Sequence, residues 1–209
     1  MQDFKGVKIT QIRDVIEVKK QSFDAQWLGR SLAYTPYQPR PLDLKRKESL
    51  NSIYTLSNSN NEDFLFRAKE LEKDARAFIV ESLELATYLR RYVRTPLIYD
   101  FLILDSYQLL EALVYGIDSV ILYPKYLGQK ELKALSDYTL KLGLERVFHI
   151  ESKEDLTKAI FAKADILNLN ENFSLVPLIP KQKILISTLQ NTLKDSVNSH
   201  ISALDAYII

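Results

Sequence analysis

The chain has 209 residues, 46% of them hydrophobic, and its 28 basic against 27 acidic side chains leave a net charge of +1. That is enough apolar material for one sizeable core, and too balanced a charge to draw in nucleic acid or an anionic membrane, so neither is expected as a partner. The absence of cysteine excludes disulfides, thiolate catalysis and a Cys-based metal centre.

The chain opens on MQDFKGVKIT, which has no apolar leader segment, and no later run approaches the ~18 apolar residues of a membrane span. A cytoplasmic protein is the expectation. Ile9, Ile12, Val15 and Ile16 recur at helical spacing among lysines, which predicts a helix from residue 9 to about residue 27. Residues 34–42, YTPYQPRPL, carry three prolines and read as an extended linker. Residues 1–50 thus form a helical extension with its linker, and residues 51–209 a second unit. The basic runs Lys45-Arg46-Lys47 and Arg90-Arg91 read as solvated faces.

From residue 52 short apolar runs alternate with amphipathic stretches, the signature of a parallel α/β architecture. Strands are predicted at 52–56, 77–80, 96–98, 119–122, 146–150, 166–169, 183–186 and 206–209. Helices are predicted at 62–74, 82–93, 105–115, 129–142 and 152–162, with a short one at 173–178 and a last one at 191–203 that holds His200. Residues 95–116 show the repeating unit most clearly. Pro96 opens an apolar pair, Leu97-Ile98, and Asp100 stands where a buried strand emerges. Asp105 and Ser106 can cap a helix with Leu109, Leu110, Leu113 and Val114 on its apolar side, and Gly116 stops it.

Eight such units close a (β/α)8 TIM barrel. A doubly wound open sheet is the alternative, but the turn after its first strand should be glycine-rich, and residues 57–61 read Ser-Asn-Ser-Asn-Asn. The chain stops at the last strand, so the expectation is a barrel with its eighth helix missing. The flank this exposes is expected to be covered by the N-terminal extension, by a second copy in a homodimer or by a protein partner.

Residues 95–116 resemble the third strand and helix of the indole-3-glycerol-phosphate synthase family, lyases of tryptophan biosynthesis. There the family reads Lys-Asp-Phe, an apolar pair, then Asp-Pro-Tyr-Gln. Here Asp100-Phe101 and Asp105-Ser106-Tyr107-Gln108 match, while Tyr99 stands at the catalytic lysine. The resemblance covers most of the chain and extends to the N-terminal helix, which that family places over its barrel. It implies a reaction that closes an indole ring from a phosphorylated anthranilate sugar with loss of carbon dioxide and water. Such a reaction needs an acid, carboxylates and a phosphate clamp.

Measured against that pattern, the strand around Tyr54 lacks the Glu-x-Lys of the family, and Glu81-Ser82 leads straight into a helix where the family has a covering loop. His149 replaces an inward carboxylate in His149-Ile150-Glu151. Asn170 of the family's Ile-Asn-Asn-Arg is kept while its arginine becomes Asn172, and Ser187-Thr188 stands at the family's Ser-Glu.

A backbone approaches a phosphate closely only where side chains are absent, yet no glycine lies beyond Gly143, so the clamp is expected to be lost. The mouth then keeps Asp100, His149, Glu151, Asn170 and Thr188, a set able to serve acid–base chemistry or hold a metal. In the plainer reading followed here, Asp100 caps its loop, Glu151 faces solvent, His149 is a hydrogen-bonded inward residue and Tyr99 fills the mouth. No metal or cofactor is expected. The resulting expectation is a non-catalytic pseudoenzyme that uses the barrel as a scaffold. The alternatives are a divergent synthase, or an enzyme retooled for another small molecule around Asp100, His149 and Asn170.

Overall fold

The computed structural model describes residues 3–57, 63–188 and 201–209. Eight parallel strands close a barrel: β3 (Asn51–Leu56), β4 (Ala75–Val80), β5 (Leu97–Tyr99), β6 (Ser119–Leu122), β7 (Glu145–His149), β8 (Ile166–Asn168), β9 (Ile184–Thr188) and β10 (Ala206–Ile208). The ring shuts where Ala206 pairs with Asn51 and, on its other side, with Ile186. The predicted TIM barrel is therefore present, with strand ends moved by one or two residues. Helices α3 (Asp63–Leu71), α4 (Leu83–Arg90), α5 (Ser106–Val114), α6 (Gln129–Lys141) and α7 (Lys153–Phe161) fill the crossovers, and residues 173–178 form a 3-10 turn. The expected helix at 191–203 falls almost wholly outside the described residues, as does His200.

The pleat sorts each strand's side chains into two cores. Ile53, Ala77, Ile79, Ile98, Ile121, Val147, Ile166, Ile186 and Ala206 meet inside the barrel. Phe78, Val80, Leu97, Val120, Phe148, Leu167 and Leu185 face the helix layer. Phe78 and Phe148 are fully buried there, each contributing roughly 1.5–3 kcal/mol relative to an exposed ring. Helix α5 shows how the local code works. Asp105 accepts from the Tyr107 N–H, Gln108 Oε1 accepts back from the Asp105 N–H, and Gly116 ends the helix at φ +85°. A side chain at Gly116 would meet Arg90 Cγ at 2.9 Å, so this glycine also permits close packing.

The N-terminal region departs from expectation twice. The single helix predicted to residue 27 is broken into α1 (Ile9–Ser22) and α2 (Ala25–Ser31), because Asp24 accepts hydrogen bonds from the Gln26 and Trp27 N–H groups and starts a second helix. Ahead of α1, β1 (Asp3–Phe4) and β2 (Val7–Lys8) form a hairpin that no periodicity announced. Its two-residue turn, Lys5-Gly6, has positive φ at both positions, +47° and +81°, the geometry of a type I′ turn. Of the segment read as a linker, Tyr34 ends a 3-10 turn (Leu32–Tyr34) and residues 35–46 hold no regular element; they run across the opposite end of the barrel, where Leu42 and Leu44 are buried against the inner core.

Candidate active site

In this architecture side chains at the C-terminal ends of the strands converge on one mouth. Alternation from Ile98 and Ile121 brings Asp100 and Tyr123 to that end, and from Val147 and Ile166 brings His149 and Asn168. Tyr123 donates a short hydrogen bond to Asp100 Oδ1, and its ring lies 4.8 Å from the His149 ring, centroid to centroid. Asn168 Nδ2 is 3.3 Å from Nδ1 of His149, and Glu151 Oε1 is 3.4 Å from Nε2. With Nδ1 accepting from the amide, the imidazole proton sits on Nε2 facing Glu151. Asp100, Tyr123, His149, Asn168 and Glu151 therefore form one connected run of polar groups spanning four neighbouring strands.

Electrostatics sets the charge on each. Burial lowers the His149 pKa, against the opposing pull of the Glu151 and Asp100 carboxylates, so the ring is neutral at pH 7. Burial also raises the Tyr123 phenol, with the Asp100 charge acting the same way, so it stays protonated and can only donate to that carboxylate. Glu151 is held below its usual range: burial pushes it up, but the hydrogen bond and charge of Lys125, 2.8 Å away, outweigh that.

The hairpin packs over the Asp100–Tyr123 side of this mouth. Phe4, only 4% exposed, packs edge-on against Tyr123, Tyr126 and Phe101 at centroid distances of 4.9, 5.8 and 6.0 Å. Lys5 Nζ reaches Asp100 Oδ2 at 2.8 Å and makes a short contact with Glu81. Thr55 at the end of β3 and Asn170 beyond β8 are exposed.

Several sequence-level assignments change in detail. Tyr99 does not fill the mouth: it belongs to the layer between sheet and helices, stacked on Phe101 with ring centroids 5.8 Å apart, and burial raises its pKa. Asp100 is an ion-paired mouth residue rather than a loop cap. Glu151 reaches His149 because β7 ends between them. Asn170 stands exposed on the rim in left-handed backbone, φ +45°, its N–H donating to Asn168 Oδ1. Thr188, half-buried, closes β9.

Asn168 and Tyr123 were missed, although simple alternation from Ile166 and Ile121 points at both. Lys5 and Glu81 were missed too; a Lys-Gly pair flanked by Phe4 and Val7 is a hairpin signal, but a faint one in so short a segment. Among the described residues no cluster of three His, Asp or Glu side chains is placed to hold a metal ion, and no helix is long and apolar enough to cross a membrane.

Solved structures with this architecture include a mutant form of the tryptophan synthase alpha-subunit from Pyrococcus furiosus. Its TM-score is 0.61 at 14% identity, covering 79% of this chain and 88% of that one. A 4-hydroxy-2-oxoglutarate aldolase matches with a TM-score of 0.58 at 17% identity, covering 75% of this chain and 82% of that one. At such identities the likeness concerns the fold alone. Sequence comparison goes further. The family model for indole-3-glycerol phosphate synthase matches residues 74–178. Proteins named indole-3-glycerol phosphate synthase are 38% identical in Campylobacter curvus, over 86% of this chain and 81% of the relative, and 32% identical in Campylobacter hominis, over 96% and 90%. A third, from Campylobacter jejuni subsp. doylei, is 39% identical over 84% and 80%. With this barrel, this mouth and that level of identity along most of its length, the chain belongs to the indole-3-glycerol phosphate synthase family.

Proposed function

We propose that this protein is a divergent indole-3-glycerol phosphate synthase, a carboxy-lyase of tryptophan biosynthesis. The observation that carries this reading is the 38% identity to a protein of that name across 86% of the chain. The same observation overturns the expectation of a non-catalytic scaffold, which rested on counting family residues absent from their usual strands. That count assumed proton-handling groups must arise at fixed positions, whereas the reaction needs only suitable groups at the mouth. The loop after β9, where a phosphate clamp was expected to be lost, lies outside the described residues.

The mouth has chemistry to offer. Asp100 is a carboxylate held by Tyr123. His149 is neutral and thus able to take or pass a proton near pH 7. Asn168 and Thr188 can direct hydrogen bonds to hydroxyl groups of a sugar. In this assignment Asp100 and His149 move protons during ring closure and loss of water, while Asn168, rather than Asn170, orients the chain of the substrate.

The test is turnover of carboxyphenylamino-deoxyribulose phosphate by the purified protein, followed by indole fluorescence, with rescue of a tryptophan auxotroph as the second readout. Product formation is expected, and Asp100→Asn or His149→Ala should cut kcat by about 10²–10⁴, the usual worth of a positioned acid or base. Folded protein that gives no product at saturating substrate and fails to rescue would overturn the reading.

A further inference from the structure

Among the described residues, the inward positions of the eight strands carry no lysine or arginine. A substrate bearing a carboxylate and a phosphate, and a ring closure that needs a proton on a ketone oxygen, both call for a cation there. Among the described residues two lysines from outside the sheet reach the mouth, Lys125 beside Glu151 and Lys5 beside Asp100. Lys5 sits at the hairpin tip, and its Nζ spans Asp100 on β5 and Glu81 just after β4. Resting on the synthase reading, we propose that Lys5 is a catalytic residue, the ammonium group that protonates the substrate's ketone oxygen.

The local structure is built to hold it. Lys5 adopts φ +47°, a region unusual for any residue but glycine, asparagine or aspartate. The turn tolerates this because Phe4 is locked among three aromatic rings on one side and Val7-Lys8 leads directly into α1 on the other. A lysine ammonium has three N–H donors. Asp100 and Glu81 take two of them, so the third can address a substrate oxygen. The Lys5 side chain is 42% exposed, beside the part of the mouth that Phe4 covers. Burial pulls the Lys5 pKa down, but the hydrogen bonds to Asp100 and Glu81 prevail and leave it raised, so the group carries its proton at pH 7. Lys125, the neighbouring cation, is tied to Glu151 instead.

The step balances without an added reagent. As the aromatic carbon that bears the carboxylate bonds to the ketone carbon, the C=O π pair moves onto oxygen, which takes a proton from Nζ. The carbon–carboxylate bond then breaks, its electron pair restores the aromatic ring, and carbon dioxide leaves. The neutral amine recovers a proton from solvent, and the new hydroxyl departs as water in the next step.

Lys5→Met and Lys5→Ala test the assignment in the full chain. Both should fold, because the turn is exposed, and both should lose kcat by roughly 10²-fold or more with KM changed far less. Added methylamine should restore turnover to Lys5→Ala, with the rate rising with methylammonium concentration; a merely structural lysine would show no such rescue. Lys5→Arg keeps the charge but is a far weaker acid, so it should retain KM and still lack kcat. If wild type turns over and Lys5→Met keeps its kcat within about threefold, Lys5 is not the acid and the synthase reading stands. If wild type itself gives no product, the synthase reading falls and takes this proposal with it. If Lys5→Met does not fold, the kcat of Lys5→Arg decides.

Discussion

Two aspartates, at opposite ends of the barrel, are both paired with cations, and their surroundings differ. Asp118, at the entry to β6, is fully enclosed. It accepts from the Arg40 N–H at 2.6 Å, Arg40 Nη2 at 2.8 Å, the Leu97 N–H at 2.8 Å and, in a short contact, Arg90 Nη1. These donors tie the linker, helix α4 and β5 to one point beneath the barrel. Asp100, at the exit of β5, has for side-chain partners among the described residues Tyr123 and a lysine on a hairpin tip. The first pair is satisfied from every side and open to nothing. The second is partly solvated, its cation is held by a turn that can be displaced, and a substrate oxygen could compete for it. Ion pairing alone therefore does not distinguish scaffold from site; the number of donors and their exposure do.

The comparison is broken most sharply by removing each carboxylate. Asp118→Ala strands the buried Arg90 guanidinium and the half-buried one of Arg40, and losing one partner of a buried charge cluster typically costs ~3–5 kcal/mol. Urea unfolding should show that loss as a lower midpoint at unchanged slope. Asp100→Asn should cost less than ~1 kcal/mol, because its lysine partner is partly in water. Comparable losses at the two sites would mean that the mouth is as structural as the base.

A smaller effect is expected at Phe4. A buried phenylalanine truncated to alanine in a core costs ~3–5 kcal/mol, but β1 and β2 are two residues each, and among the described residues their main anchors on the barrel are this ring, Lys5 and the Tyr126 hydroxyl, which donates to the Asp3 carbonyl. The segment can therefore detach without unfolding the rest, which caps the penalty at its own docking energy, roughly 1–3 kcal/mol. Hydrogen exchange should reveal Phe4→Ala as lost protection in residues 3–8 while β6 and α5 keep theirs. Loss of protection throughout would show that the hairpin is integral to the barrel.

How much of this was legible in the sequence follows the same division. Apolar runs buried on both faces are hard to mistake, and β6 falls on the predicted residues 119–122. Helix starts were marked by side chains that accept backbone N–H groups, as at Asp105 and Ser152. The mouth was less legible because facing depends on parity: a one-residue error at a strand end turns a side chain to the other face. Tyr99 was assigned to the interior, yet Ile98 and Asp100 hold the inward positions, which sends Tyr99 outward. The hairpin has strands too short for any period, so its docking is decided by Phe4 meeting rings some hundred residues away. Asp24, which splits the first helix, carried a capping signal that the surrounding helical spacing hid.

The subtlest test concerns pH. His149 has its pKa lowered by burial in the folded protein, so below its unfolded value of 6.5 the unfolded chain binds more protons than the folded one. Stability contributed by keeping this ring neutral is thus fully present above pH 6.5 and is lost as pH falls through that value toward the lower folded pKa. His149→Phe should therefore flatten the stability profile between pH 7 and pH 5 relative to wild type. The effect is the smallest of the three, and it isolates the one imidazole at the mouth whose charge burial controls. Parallel profiles for wild type and His149→Phe would instead mean that the imidazole titrates freely in both states, and its assigned role as a neutral proton carrier would lose its physical basis.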